Sequence, residues 1–497
     1  MFKKVFMREA SYTLDYIAQK HLGEATIGEF DFNKLSPEIA RKNKQDVDRM
    51  VKLESKYKLI DYFDEIRLLT KTMWEDLYFN SFIIEMLLFE EAKLKNVILP
   101  NVPNRESRDE DEETTFEGAT RECIETGTLF GVGKFDLSSA YPNMIINFCL
   151  DPQNIVQAKN EATIEIDGVF WEQSDGALLP DLVKKLITLK DNLKKERDKH
   201  PQDSEEFKKL SIKYDAIKAV VNSAFGVMGF QGFRVYNNNV ASAIAFLVRD
   251  LLMYVKDNIE KQGFKVVYWD TDSVFCLTTD NISDSLNELV RRWAKEKYGK
   301  DDISIEFDYE GYFEKLFLLT KCRYYGLLKS KKGTKEEIKG MEMKRASSSK
   351  YEGTFQKELI SKLLDKGTKE EILKWIRDEK KRIKTLPLEH IAFPCKLQNK
   401  KYKNLPIFIR AYNNSKELKG DFVVNKGEIF YYTYIKSNNP SKNALAFTVQ
   451  DKEMLKNERI DYDEIIRRNI DSKARNIFVA MKWDERELDG QFQSRIF

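Results

Sequence analysis

Two short acidic segments constrain this 497-residue chain more than anything else in it. Phe135–Pro142 reads FDLSSAYP, and Tyr268–Ser273 reads YWDTDS. Each sets carboxylates on a strand or at a strand–turn corner, among apolar residues. A lone Asp in a loop is ordinarily solvated, whereas Asp136, Asp270 and Asp272 stand in strand contexts and need a reason to be there. Turn capping alone does not explain why two apolar strands should both end in acid. A divalent cation does, because hard cations such as Mg²⁺ prefer oxygen ligands and share them with substrate phosphates.

Between them lies a lysine-rich helical stretch ending in KAVVNSAFG, Lys218–Gly226. Carboxylates for metal and lysines for phosphate are the minimal equipment of phosphoryl transfer. Lys218 and Asn222 are four apart and share a helix face, with Phe225 about one turn further. Lys190 and Lys194 have the same spacing on the preceding helix. Two antiparallel helices can point all of these groups into one cleft.

Charge does not announce a polyanion partner. The 83 basic and 81 acidic residues leave a net charge of +2, so any basic surface must come from segregation. The runs Lys184–Lys199 and Lys329–Lys344 are the candidates, each equally readable as a solvated helix face or loop. Five Cys without CxxC pairing suggest neither zinc nor a disulfide framework and suit a reducing, cytoplasmic setting. No apolar run approaches a membrane span, and MFKKVFMREASY lacks a signal peptide's apolar core.

The chain is long enough for two to four domains. Helices are expected over Ser11–His21, closed by Gly23, within Pro37–Glu75, and over Asn80–Lys95. Arg105–Glu117 reads as an exposed acidic loop. From Gly131 the chain turns β-like, with a hairpin over Thr163–Trp171. Pro180 opens a helix to about Lys199. A second helix runs from Ser204 to about Ala224, stopped by Gly226 and Gly229. Ala241–Gln262 is a further helix, Ile305–Leu328 is β-rich, and helices return at Phe355–Asp365, Lys369–Lys384 and Tyr462–Met481.

Four motifs together carry a resemblance. DLSSAYP resembles motif A of family B DNA polymerases (DxxSLYPS), KAVVNSAFG their motif B (KxxxNSxYG), and YWDTDS their motif C (YxDTDS). Lys321-Cys322-Arg323-Tyr324 resembles the KKRY element that follows. All four come in the family's order, with 82 residues from Asp136 to Lys218 and 54 from Lys218 to Asp272, which leaves room for one pair of finger helices. The resemblance implies an α+β, right-hand polymerase architecture. Residues 50–177 and 230–350 would be palm (an antiparallel sheet plus helices), 178–229 two-helix fingers, and 351–497 a mixed thumb. Weaker echoes, PIFIRAYN at Pro406–Asn413 and IDYDEIIRR at Ile460–Arg468, support the thumb.

The implied activity is DNA-directed addition of dNTPs to a primer 3′ end. Asp136, Asp272 and the carbonyl of Leu137 would hold two Mg²⁺ ions, with Asp270 adjacent. Leu137, Ser138, Ser139, Ala140, Tyr141, Lys190, Lys194, Lys218 and Asn222 would form the nucleotide site. Tyr141 would gate the sugar against a 2′-hydroxyl, and Lys218 could donate a proton to pyrophosphate. Lys321, Arg323 and Tyr324 would grip primer or duplex. The chain departs from the family at several of these places. Ala140 and Asn143 replace Leu and Ser. Lys190 stands for Arg and cannot make a bidentate phosphate clamp. Phe225 lacks the motif B hydroxyl, and Cys322 replaces a basic residue.

The resemblance also extends forward. Ser11–Gly23 resembles the segment ahead of the third exonuclease motif. Lys42-Asn43-Lys44-Gln45-Asp46 resembles that motif, YNxxD, with Lys42 in the Tyr position. Residues 1–49 would then be the end of an exonuclease domain, and Asp46 one metal ligand without its partners. We expect the C-terminal half of a split, viral or phage-like polymerase, cytoplasmic in its host cell; a fragment of a longer chain and a decayed exonuclease domain are the alternatives. Its partners would be primer–template DNA, dNTPs and a separate N-terminal polypeptide, with room for a sliding clamp. Ile17, Leu22, Ile27 and Phe30 are expected to form the exposed apolar surface where that polypeptide packs. Two other readings compete: an inactive scaffold subunit, against which Asp136 and Asp272 are both present, and an RNA-copying polymerase, against which Tyr141 argues.

Overall fold

The computed structural model describes the chain except residues 7, 8, 10, 25–35, 103–116, 119, 398–403, 425–427 and 490–497. The chain divides into two compact units, one of residues 1, 54–124 and 133–312, the other of residues 2–53, 125–132 and 313–497. The expected acidic loop at 105–117 lies almost wholly outside the described residues, as do Ile27 and Phe30.

The strands, in chain order, are β1 (Arg121–Cys123), β2 (Gly127–Leu129), β3 (Val132–Leu137), β4 (Ile155–Val156), β5 (Thr163–Ile166), β6 (Val169–Glu172), β7 (Val266–Asp270), β8 (Ser273–Cys276), β9 (Phe307–Thr320), β10 (Arg323–Ser330), β11 (Gly333–Lys339), β12 (Phe393–Lys396), β13 (Ile429–Tyr434) and β14 (Ala444–Phe447). In the first unit, β1, β7, β8 and β3 lie side by side and lead to the start of β9. The β1–β7, β7–β8 and β3–β8 pairs are antiparallel. The expected hairpin forms from β5 and β6, turning at Asp167 and Gly168, whose φ values of 52° and 75° suit a tight two-residue turn.

Helices pack against this sheet around one apolar core that includes Phe63, Ile84, Phe148, Trp171, Leu251 and Trp293. Leu178–Arg197 and Glu205–Met228 are the paired helices between β6 and β7, and Asn238–Lys261 follows them. The first begins two residues ahead of Pro180. The second is capped by the Ser204 side chain, which accepts the Phe207 N–H, and runs straight through Gly226. The expectation that Gly226 stops it is therefore corrected. A lone glycine weakens a helix by only about 1 kcal/mol, and the turn that ends this one comes at Gly229. The expected helical stretch 37–75 is two helices, Pro37–Tyr57 and Leu59–Thr70, separated by Lys58 in the left-handed region at φ 51°.

In the second unit, the later part of β9 pairs with β2 and β10, and β10 pairs with β11. A separate three-stranded sheet, ordered β12-β13-β14, packs with the helices Lys350–Leu364 and Ser472–Ala480 around Phe355, Leu359, Phe430, Ile477 and Phe478. Leu14–Leu22 ends at Gly23, φ 74°, as expected. Ile17 on this helix is only 3% exposed. Its placement on an outward apolar surface is thus corrected: the amphipathic helix buries that side chain within this chain. Leu22 is half-buried. No described helix is long and apolar enough to cross a membrane.

Candidate active site

Strand alternation sets the site. In β3, Phe135 and Leu137 are buried while Lys134 and Asp136 face the other way, as the two-residue period requires. Asp136 pairs with Ser273 across β3 and β8, and the Leu137 N–H donates to the Asp272 carbonyl at 2.8 Å. The two acidic segments, far apart in sequence, are therefore neighbours on adjacent antiparallel strands. Lys134 Nζ lies 3.4 Å from Asp136 Oδ2. Asp136 Oδ1 is buried without a hydrogen-bond partner.

The motif C turn is strained. The Asp272 N–H donates to the Asp270 carbonyl at 2.7 Å and closes a γ-turn around Thr271, whose φ is 65°. Such turns are rare, and positive φ is costly for a β-branched residue. Asp270, 3% exposed, is fully engaged. Its Oδ1 accepts from Arg121 Nε at 2.7 Å and Thr271 Oγ1 at 3.0 Å, and its Oδ2 accepts from the Tyr268 hydroxyl at 2.9 Å. Asp270 thus turns inward, while Asp272, one step from Asp136's strand partner, is half-buried.

After β3 the backbone turns sharply. Ser139 adopts φ 48°, and the helix Ala140–Asn147 begins, carrying Tyr141 in its first turn. Ser138 donates its N–H to the Glu306 carbonyl at 2.9 Å and its hydroxyl to Asp308. Asn143 Nδ2 donates to the Ser138 carbonyl at 2.7 Å, so this departure from the family pattern closes the turn. Ala140 is buried. Lys190 Nζ donates to Ser139 Oγ at 2.7 Å, tying the first paired helix to the end of β3. Tyr141 stacks on Phe225 of the second, with centroids 4.1 Å apart and rings 9° from parallel. Burial, and secondarily the charge of Asp272, push the Tyr141 phenol up to about 12, so it stays protonated at neutral pH.

Lys218 and Asn222 share the helix of Phe225 and are exposed. Lys218 Nζ sits 5.9 Å from the Tyr214 ring centroid. Lys194 is likewise exposed. The structure thus brings Asp136, Leu137, Ser138, Ser139, Ala140, Tyr141, Lys190, Phe225 and Asp272 together, and leaves Lys194, Lys218 and Asn222 extended to solvent. Sequence reasoning missed Lys134, Asp308 and Arg121. The first was available from its position two residues before Asp136; the others depend on long-range strand pairing and carry no local signal.

The remaining candidates lie in the second unit. Lys321 and Cys322 form the β9–β10 turn, with Cys322 at φ 58° and Lys321 exposed. Arg323 is held by the Gly340 carbonyl at 3.2 Å and Glu342 Oε2 at 2.6 Å, and Tyr324, 4% exposed, donates to Glu337 at 2.6 Å. Asp46 lies on the helix Pro37–Tyr57, where its Oδ1 meets Lys42 Nζ at 2.7 Å and Arg49 Nη1 at 3.5 Å. Both cations also bind Asp15, at 2.8 and 2.6 Å.

Oxygen donors dominate the Asp136–Asp272 corner, and a buried carboxylate oxygen without a partner there suits a hard cation. Among the described residues no group of three or more acidic, His or Cys side chains converges on one point. A cation at this corner would therefore rest on the carboxylate pair, backbone carbonyl and substrate oxygens, as Mg²⁺ commonly does.

Residues 77–481 match the family model for DNA polymerase family B. A DNA polymerase of Archaeoglobus fulgidus is 27% identical over 341 residues, covering 67% of this chain and 41% of that protein. DNA polymerase 1 of Pyrococcus abyssi is 25% identical over 299 residues, covering 60% and 38%. The DNA polymerase alpha catalytic subunit of Xenopus laevis is 26% identical over 255 residues, covering 49% and 17%. This chain thus matches well under half the length of these relatives. The family B DNA polymerase structure from Pyrobaculum calidifontis shares the fold, with a TM-score of 0.65 and 21% identity over 95% of this chain and 62% of that one. With a family model matched over most of its length, the chain belongs to DNA polymerase family B.

Proposed function

We propose that this chain adds dNTPs to the 3′ end of a DNA primer on a DNA template. The observation that carries this reading is the adjacency of Asp136, on β3, and Asp272, in the turn that leads into its partner strand β8, with Asp136 Oδ1 buried and unpartnered. Asp136, Asp272 and the Leu137 carbonyl would hold two Mg²⁺ ions. When bound, such ions lower the pKa of an attacking hydroxyl and neutralise charge on a leaving phosphate.

The chain's own groups do the rest. Lys190, already anchored on Ser139 at 2.7 Å, would meet the triphosphate at the end of β3. Lys218 and Lys194, exposed on paired helices, would swing onto it as point charges, and Lys218 is the donor we assign to departing pyrophosphate. Ser138, Ser139 and Ala140 present backbone at the nucleotide, and Asn222 extends from the same helix face as Lys218. Tyr141, fixed by Phe225, would lie beneath the sugar and exclude a 2′-hydroxyl. Asp270, buried among Arg121, Tyr268 and Thr271, acts through Asp272 rather than on substrate. Lys321 would meet duplex phosphate, with Arg323 and Tyr324 shaping its turn.

In this reading residues 50–177 and 230–350 are palm, 178–229 fingers and 351–497 thumb. A separate polypeptide completing an exonuclease around Asp46 is the finer proposal, and it requires the Asp46 ion pairs to open. Primer extension with Mg²⁺ and dNTPs, against NTPs, is the test. Extension that survives both Asp136→Ala and Asp272→Ala would overturn the assignment.

A further inference from the structure

The γ-turn that carries Asp272 cannot hold itself. Thr271 sits at φ 65°, a conformation its branched side chain resists, and the turn spans only three residues. Strain of this kind persists where surrounding structure over-determines it. Here the surroundings come from β1. Arg121 pairs with Asp270 in the antiparallel register. Next to it, the Thr120 carbonyl accepts the Thr271 N–H at 3.1 Å. The Arg121 guanidinium then reaches over the turn, donating from Nε to Asp270 Oδ1 at 2.7 Å and standing 3.4 Å from Thr271 Oγ1. From the other side, the fully buried Tyr268 hydroxyl fixes Asp270 Oδ2. Backbone and side chain of one short strand thus grip both residues that precede Asp272.

We propose that Arg121 is a positioning residue that, through Asp270, holds the strained turn in the conformation that lets Asp272 bind a divalent cation. The inference rests on the proposed polymerase reading and deepens it. Asp270 is buried and the Arg121 guanidinium donates to it, so removing that charge leaves a carboxylate to find a new arrangement, and the cheapest one is to release the turn. Groups that orient a metal's ligands without touching the metal typically change its affinity by about 10- to 100-fold.

The test is Mn²⁺ binding to the full chain without nucleotide or DNA, followed by electron paramagnetic resonance, alongside primer extension and thermal unfolding. The wild-type chain should bind Mn²⁺ and lose that binding in Asp272→Ala. Arg121→Gln should weaken Mn²⁺ binding by about 10- to 100-fold. Its kcat should fall in parallel, with primer–template affinity unchanged. Arg121→Lys, which keeps the charge and the fold should Gln prove too disruptive, should recover most of the Mn²⁺ affinity. Equal Mn²⁺ affinity in wild type and Arg121→Gln would overturn the inference and leave the polymerase reading standing. So would an Arg121→Lys variant that folds normally yet binds Mn²⁺ no better than Arg121→Gln. Mn²⁺ binding indifferent to Asp136→Ala and Asp272→Ala would overturn the metal assignment and this inference with it.

Discussion

The Tyr141 ring lies flat on Phe225, 4.1 Å between centroids, which joins the residue after the β3 turn to the second of the paired helices. The stack fixes where the Tyr141 edge points, and the contact uses the face of the Phe225 ring. Tyr141→Ala should admit ribonucleotides, lowering dNTP over NTP discrimination by about 10- to 200-fold, the range one steric group commands in a pocket. Phe225→Ala should loosen the same gate by less, since an aromatic pair contributes about 0.5–1.5 kcal/mol. Steady-state incorporation of matched dNTP and NTP measures both. Unchanged discrimination in Tyr141→Ala would remove the gate.

Asp136→Asn should separate catalysis from stability. Loss of a metal-holding carboxylate should reduce extension by about 10³-fold or more, on the scale of several kcal/mol of charge stabilisation. In the metal-free chain the same change removes a charge whose Oδ1 is buried and unpartnered but also the 3.4 Å ion pair of Oδ2 with Lys134, so the melting temperature should change little. A melting temperature that drops sharply would make Asp136 a structural residue instead.

Glu342 should govern acid stability of the second unit. Burial raises its pKa, but Arg323, Gln356 and Lys473 together outweigh that and hold it below the ordinary 4.5. A depressed folded pKa means stability that is present above the unfolded value and lost as pH falls through it. Unfolding free energy should therefore decline as pH drops below about 4.5, and Glu342→Gln should flatten that decline. At pH 7 the variant should lose about 3 kcal/mol, because it strands Arg323 beside a neutral partner. Urea titrations across pH read both effects; identical acid profiles would exclude the pair as their source.

Lys321 and Tyr324 should part company. Lys321→Ala should weaken primer–template binding at all sequences and reduce the salt slope by about 1. Tyr324→Phe, which loses the Glu337 hydrogen bond at 2.6 Å, should cost about 1 kcal/mol of stability and leave DNA affinity alone. A DNA-binding defect in the Tyr324 variant would mean its hydroxyl faces substrate in the working enzyme.

Asp46→Ala should destabilise the chain by about 1–3 kcal/mol, since Lys42 and Arg49 are left buried with one carboxylate fewer. The chain alone should show no 3′–5′ exonuclease activity, because among the described residues no group of three or more acidic, His or Cys side chains converges near Asp46. Degradation of single-stranded DNA that Asp46→Ala abolishes would contradict this.

The sequence alone determined the family and marked the candidate site. Asp136 and Asp272 stood out as candidates because acid at the end of an apolar strand is locally anomalous, Lys190 and Phe225 through helical spacing, and Tyr141 through the motif resemblance. Helix ends with local caps, such as Ser204 and Gly23, could be read directly, whereas Gly226 could not, because packing along both sides of its helix overrides a small intrinsic cost. What only the tertiary structure decided is which oxygen of Asp136 lacks a partner, that Asp270 faces Arg121 rather than the site, and that Ile17 is covered. The last two depend on packing between residues far apart in the chain, and pairing of that kind is fixed by the whole core rather than by any local pattern of side chains.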